Sequence, residues 1–267
     1  AFREIYSEEY LGGVGLIARH LKSFCKKTLL LTSIGQKKEK VKFIRSNLSK
    51  NISVKFFCKD NSPTIVKKRF LDINSKSKLF GIYELNDKII GSNEEKKLTN
   101  FFLKNNVNSD LSIVADYGHG FISKKISTII RRKSKFLAAN VQINAANKGY
   151  HSLYNYNKAN FIIINESELR SEMRNRDENI KFLIKKLSKK LSLKFMAVTR
   201  GSKGIILFSS KDKSFFYCPA FEINPVDKIG AGDTMLSILS ICIFKKIDLK
   251  LAIFISSIAA ALSVRSI

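Results

Sequence analysis

The run DKIGAGDTM, residues 227–235, places two closely spaced glycines and a carboxylate at the opening of an apolar helix, MLSILSICIF. Gly230 and Gly232, with Ala231 between them, let the backbone turn with its N–H groups exposed, and the helix directs its positive end at the same point. That arrangement can hold a phosphate. Asp233 then stands where a substrate hydroxyl would meet a transferring phosphoryl group, as a general base. No GxxxxGK[ST] loop occurs in the chain, so this is a kinase pattern without a Walker A motif. The same string also describes a plain helix start, and the rest of the chain must choose between the two.

Three further constellations carry polar groups of the right kind. NESE puts Asn165 and Glu168 three residues apart after an apolar run. An amide and a carboxylate at that spacing can hold the water shell of a Mg²⁺ ion, and they also form a helix capping box. TRGSKG, residues 199–204, is a strand end followed by a glycine turn, where Thr199 and backbone N–H groups can meet a nucleotide phosphate; a simple hairpin into GIILF would read identically. ADYGHG places Asp116 at another strand end, with His119 read as a loop histidine rather than a proton carrier. GGVGLIA, residues 12–18, mimics a dinucleotide fingerprint but follows the charged EIYSEEY instead of a buried strand, which argues against a Rossmann oxidoreductase. Gly12 and Gly13 read better as a close backbone approach for a sugar.

These residues need a scaffold, and the chain is long enough to build one. Its 267 residues are 45% hydrophobic and 10% aromatic, enough for a full core. Short apolar runs at 28–34, 111–115, 136–141, 161–164 and 195–199 alternate with helical patterns, predicting an α/β domain with a largely parallel sheet. Asp116, Asn165 and Thr199 all fall where such strands end, the edge at which open α/β sheets bind ligands. Segment 53–85 breaks the rhythm with three strand-like runs, SVKFFC, TIVKKRFL and LFGIYEL, and predicts an inserted antiparallel sheet serving as a lid or oligomer surface. An irregular edge of the main sheet is the plain alternative.

The formal charge of +26 suggests nucleic acid, but its distribution argues otherwise. Along 178–191, Ile180, Leu183, Ile184, Leu187 and Leu191 form one helical stripe, and Lys181, Lys185, Lys186, Lys189 and Lys190 cover the rest as a solvated face. No RNP-like or zinc-finger pattern accompanies them. Cys25, Cys58, Cys218 and Cys242 form no CxxC pair, consistent with a cytoplasmic protein. The apolar stretch 251–264 is too short for a membrane helix and predicts a buried one.

Taken in order, GG before the first helix, an inserted lid, NxxE, TxGxxG and GAGD resemble the ribokinase-like, or PfkB, carbohydrate kinases over nearly the whole chain. ADYGHGFIS, NVQINAANKGYH and NESELR look closest to the heptose-7-phosphate kinase domain of bifunctional ADP-heptose synthases. The resemblance implies a three-layer α/β/α sandwich over 1–267 with 53–85 as β lid, read as an excerpt incomplete at both ends. It assigns Asp233 as catalytic base and Gly230, Ala231 and Gly232 as the anion hole. Asn165 and Glu168 match the Mg²⁺ motif, while Thr199, Gly201 and Asp227 fall on the ATP side. Gly12, Gly13 and Asp116 fall on the sugar side. The chain departs from the family where Leu16 replaces an asparagine sugar ligand and Lys228 replaces the threonine of DTxGAGD. The first family strand and the end of the nucleotide pocket lie outside the sequence.

The implied protein is a Mg²⁺-dependent kinase using ATP on a sugar or sugar phosphate, with a homodimer formed through the lid and a nucleotidyltransferase domain fused to it. Lys67, Arg69 or Lys148 would supply charge for a substrate phosphate. The alternative is a non-catalytic module of the same fold that binds a ligand or partner within a larger fusion protein.

Overall fold

The computed structural model describes residues 3–74, 77–143, 152–222 and 230–265. Asp227, Lys228 and Lys148 lie outside that set. The elements run α1 (Gly13–Leu21), β1 (Thr28–Gly35), α2 (Val41–Ser46), β2 (Ile52–Lys59), β3 (Val66–Leu71), β4 (Lys78–Glu84), α3 (Ser92–Asn106), β5 (Ser112–Asp116), α4 (Lys124–Lys133), β6 (Leu137–Val141), β7 (Phe161–Asn165), α5 (Glu166–Met173), α6 (Ile180–Leu191), β8 (Phe195–Thr199), β9 (Ile205–Ser209), β10 (Ser214–Cys218), α7 (Ala231–Phe244) and α8 (Leu249–Arg265).

The main sheet has the order β10-β9-β8-β7-β6-β5. Strands β5 to β8 are parallel, and β9 and β10 close the edge antiparallel. Alternation along the buried strands sends successive side chains to opposite faces. In β7, Ile162 and Ile164 join Ile126, Leu169, Leu183 and Leu187 of α4, α5 and α6. Phe161 and Ile163 join Ile17, Leu236, Leu239 and Ile253 of α1, α7 and α8 on the other side. Two helical layers therefore sandwich one sheet, the expected ribokinase-like α/β/α arrangement.

The α6 stripe is as the sequence predicts: Leu183, Ile184, Leu187 and Leu191 are buried, while Lys181, Lys185, Lys186, Lys189 and Lys190 are exposed. Two expectations need correction. The SVKFFC run lies in β2, which pairs parallel with β1 from Thr28↔Ile52 onward, so it is no part of an antiparallel insertion. The inserted hairpin is β3 with β4 alone. The parallel register sets Phe57 against the main core, which an exposed lid strand would forfeit. The 251–264 stretch is helical but only half buried. Ala252, Ile253, Ser256 and Ala260 face the core, whereas Leu251, Phe254, Ile255, Ile258 and Leu262 are exposed, because α8 packs through one face on α7 and β10. Among the described residues no helix is long and apolar enough to cross a membrane.

Candidate active site

The parallel strands deliver their polar ends to one edge: Asp116 ends β5, Asn165 ends β7 and Thr199 ends β8, with Asn165 paired to Thr199 in the ladder. Gly12, Gly13, Asp116, Asn165, Glu168, Thr199, Gly201, Gly230, Ala231, Gly232 and Asp233 all lie on the lining of one very large open cavity of about 3050 Å³, which also runs on to Asn106 and Ile130.

The turn that opens α7 is built by Gly230, which caps the helix in the left-handed region at φ 87°. An L side chain there is strained, and a Cβ would also reach 3.0 Å from Leu16 Cδ2. Leu16, the residue that departs from the family pattern, is therefore packed against the Gly230 turn. A Cβ at Gly232 would meet nothing within 4 Å, which leaves open space over the first turn of α7. The N–H groups of that turn have no intrahelical acceptors. Thr234 completes the turn, its hydroxyl donating to the Gly230 carbonyl at 2.9 Å and lying 2.9 Å from His20 Nε2.

Asp233 projects from this first turn and accepts a 2.7 Å hydrogen bond from the Tyr117 hydroxyl on Oδ1. Burial raises its carboxyl above the ordinary range, while the Tyr117 bond and the charge of Lys67 pull it back down. Lys67 comes from β3 of the hairpin and stands 5.7 Å and 5.9 Å from the Tyr83 and Tyr117 ring centres. Its own proton affinity is lowered, mainly by burial. Gly13, with φ 53°, lies beneath the Tyr117 ring, where a Cβ would come within 3.1 Å of Cε2. Gly12 has open space instead, so of the pair it is Gly12 that leaves room for a ligand.

Asp116 is buried, and both its oxygens are engaged within the protein. Oδ1 accepts from the Gly118 N–H at 3.1 Å and Oδ2 from the Tyr156 hydroxyl at 2.6 Å. His119 is a loop histidine, its Nδ1 2.7 Å from Asp87 Oδ1. Asn165 and Glu168 form the full capping box of α5, and Glu168 Oε1 additionally accepts from the Ile143 N–H at 3.2 Å. Burial raises the Glu168 carboxyl in spite of these donors. Its neighbour Glu166 is held low by Arg200, at 2.9 Å, and by Arg170. Gly201 takes φ 58° in the turn between β8 and β9, with open space beside it. That turn is a hairpin as well as a cleft wall.

The sequence reading passed over Tyr117, although it stands inside the ADYGHG motif. A phenol between a strand-end aspartate and a glycine was the available signal. The described residues contain no cluster of three or more His, Cys, Asp or Glu able to hold a metal directly. A carboxylate has acceptor sites beyond two N–H bonds, so Glu168 and Asn165 fit water-mediated contact to an ion.

A parallel sheet whose strand ends meet a glycine-capped helix with a carboxylate in its first turn fits a ribokinase-like phosphotransferase with an alcohol acceptor. The chain belongs to the pfkB family of carbohydrate kinases, whose family model matches residues 4–267. It is similar to the bifunctional protein HldE of a Nitratiruptor species, at 25% identity over 98% of this chain and 54% of that protein. The chain spans about half the length of the curated relatives it matches. Among solved structures, phosphofructokinase-2 from Escherichia coli in complex with substrates and products matches with a TM-score of 0.75 at 13% identity, covering 98% of this chain and 87% of that one. A putative ribokinase from Agrobacterium tumefaciens matches with a TM-score of 0.71 at 15% identity, covering 96% and 80%.

Proposed function

We propose that the protein is a Mg²⁺-dependent kinase that transfers the γ-phosphoryl group of ATP to a sugar phosphate, with the anomeric hydroxyl of a heptose 7-phosphate as acceptor. The observation that carries this reading is Asp233 in the first turn of α7, beside the glycine-capped N–H groups and on the lining of that cavity. Asp233 takes the proton of the attacking hydroxyl. The N–H groups of Ala231 and Gly232 stabilise the charge that grows on the transferring group. Asn165 and Glu168 would hold Mg²⁺, which would supply charge neutralisation on the phosphate oxygens. Thr199 and Gly201 bound the donor side, and Gly12 and Asp116 the acceptor side.

Two things support a phosphorylated seven-carbon acceptor: the ADYGHG and NVQINAANKGYH resemblance, and the HldE name shared by the relatives. Lys67 puts a cation beside Asp233, at the reacting end of the acceptor where charge gathers on the transferring phosphoryl group. The relatives' description as bifunctional supports a second, fused nucleotidyltransferase domain in the full-length protein, acting in cytoplasmic ADP-heptose synthesis for the lipopolysaccharide core. The test is ADP release by full-length protein with ATP, Mg²⁺ and a panel of free sugars and sugar phosphates. Preference for heptose 7-phosphate is expected. Preference for an unphosphorylated sugar overturns the acceptor, and tight ligand binding without turnover on any acceptor converts the protein to a binding module.

A further inference from the structure

We propose that Tyr117 is a positioning residue for phosphoryl transfer: its hydroxyl fixes the Asp233 carboxylate through Oδ1, so that Oδ2 is presented to the acceptor hydroxyl. The inference rests on the kinase reading of Asp233.

Four observations converge. The hydroxyl-to-carboxylate distance is 2.7 Å, and it joins the loop after β5 to the first turn of α7 across 116 residues of sequence. The phenol cannot swing freely, because Gly13 has room only for a hydrogen where a Cβ would lie 3.1–3.4 Å from three of its atoms. Its ring is stacked against His119, with centroids 6.5 Å apart, and Lys67 covers it from the hairpin. Burial and the neighbouring carboxylate hold the phenol in its protonated form, so it donates at every working pH.

A carboxylate has two oxygens and about four lone-pair sites, so one donor at Oδ1 orients the group without using up its capacity as a base. The bond also favours the charged form that proton abstraction needs, against the burial that disfavours it. The groups that face Asp233 are Tyr117 from the β5 loop and Lys67 from β3. Behind Lys67 stand Asp87 and His119, and on α7 itself Thr234 is bonded to His20.

Tyr117→Phe keeps the ring over Gly13 and removes only the oxygen. Turnover is expected to fall about ten- to hundredfold, the usual worth of a hydrogen bond to a charged group, with ATP binding unchanged. The acidic limb of the kcat/KM profile is expected to move up by about one pH unit. Carbon-13 titration of aspartate-labelled protein, with Asp233→Asn to assign the signal, is expected to show the Asp233 carboxyl titrating higher in the phenylalanine variant. A readout needing no variant is the Tyr117 ζ-carbon resonance of the wild type, which is expected to move as Asp233 titrates. Active wild-type protein with unchanged turnover and coincident carboxyl titrations in Tyr117→Phe overturns this inference alone, as does a Tyr117 resonance indifferent to Asp233. Wild-type protein inactive on every acceptor overturns the kinase reading, and with it the catalytic purpose of Tyr117.

Discussion

Asn165 and Glu168 close each other's backbone: Oδ1 of Asn165 accepts the Glu168 N–H at 2.8 Å, and Oε2 of Glu168 accepts the Asn165 N–H at 2.8 Å. The carboxylate proposed to face Mg²⁺ is thus also the clasp that starts α5. The proposed chemistry and the fold thus rest on one side chain, and two measurements on a single variant tell the roles apart.

Glu168→Gln removes the charge but keeps the shape. The amide offers one oxygen to the two N–H groups, of Asn165 and Ile143, that the carboxylate accepts. One donor is left unpartnered, while loss of a buried charge offsets part of that, so about 1 kcal/mol of stability is expected to disappear. A Mg²⁺ titration of turnover is expected to shift to higher concentration. A lower melting temperature with an unchanged Mg²⁺ titration would leave only the capping role.

Asp233→Asn is expected to reduce turnover by about 10²–10⁴-fold, the usual span for general-base catalysis, with ATP affinity nearly intact. The asparagine oxygen still accepts from Tyr117, so the geometry survives and the lost property is basicity. Steady-state kinetics beside calorimetric ATP binding tests it; near-normal turnover would sink the assignment of the base.

The same variant carries a stability prediction with a definite sign. The folded-state carboxyl of Asp233 is raised by burial. A raised carboxyl contributes stability that is full below its unfolded value and lost as pH rises through the folded value. At neutral pH the buried charge is therefore a cost, and Asp233→Asn is expected to melt higher than the wild type. The gap is expected to close as pH falls below the ordinary carboxylate range. Melting curves at neutral and acidic pH decide it, and a variant that melts lower at neutral pH contradicts it.

The β3–β4 hairpin exposes Leu79, Phe80, Ile82 and Tyr83, apolar side chains on a two-stranded sheet. Such a hairpin gains from a partner that covers it. A homodimer through this surface is expected, with Phe80→Lys or Ile82→Lys shifting it to monomer. Molar mass in solution, with hydrogen exchange of residues 66–84, is the measurement; a wild-type monomer contradicts the expectation.

Much of this protein is local in origin. The five apolar runs that became β1, β5, β6, β7 and β8, the lysine-backed stripe of α6 and the glycine start of α7 follow from periodicity and capping, which act within a few residues. So does the placement of Asp116, Asn165 and Thr199 at strand ends. Strand partners and side-chain bonds are not local. The run at 52–59 reads as a strand in isolation, but only the closed fold decides that it lies parallel to β1, 24 positions earlier, rather than beside the hairpin. Leu16 meets Gly230 across most of the chain, and Tyr117 meets Asp233 across 116 residues. No spacing rule connects residues so far apart, because their approach depends on how α1, β5 and α7 pack together. The Asp233 carboxylate and its glycine turn were written in the sequence; the phenol bonded to that carboxylate was placed there by the tertiary structure.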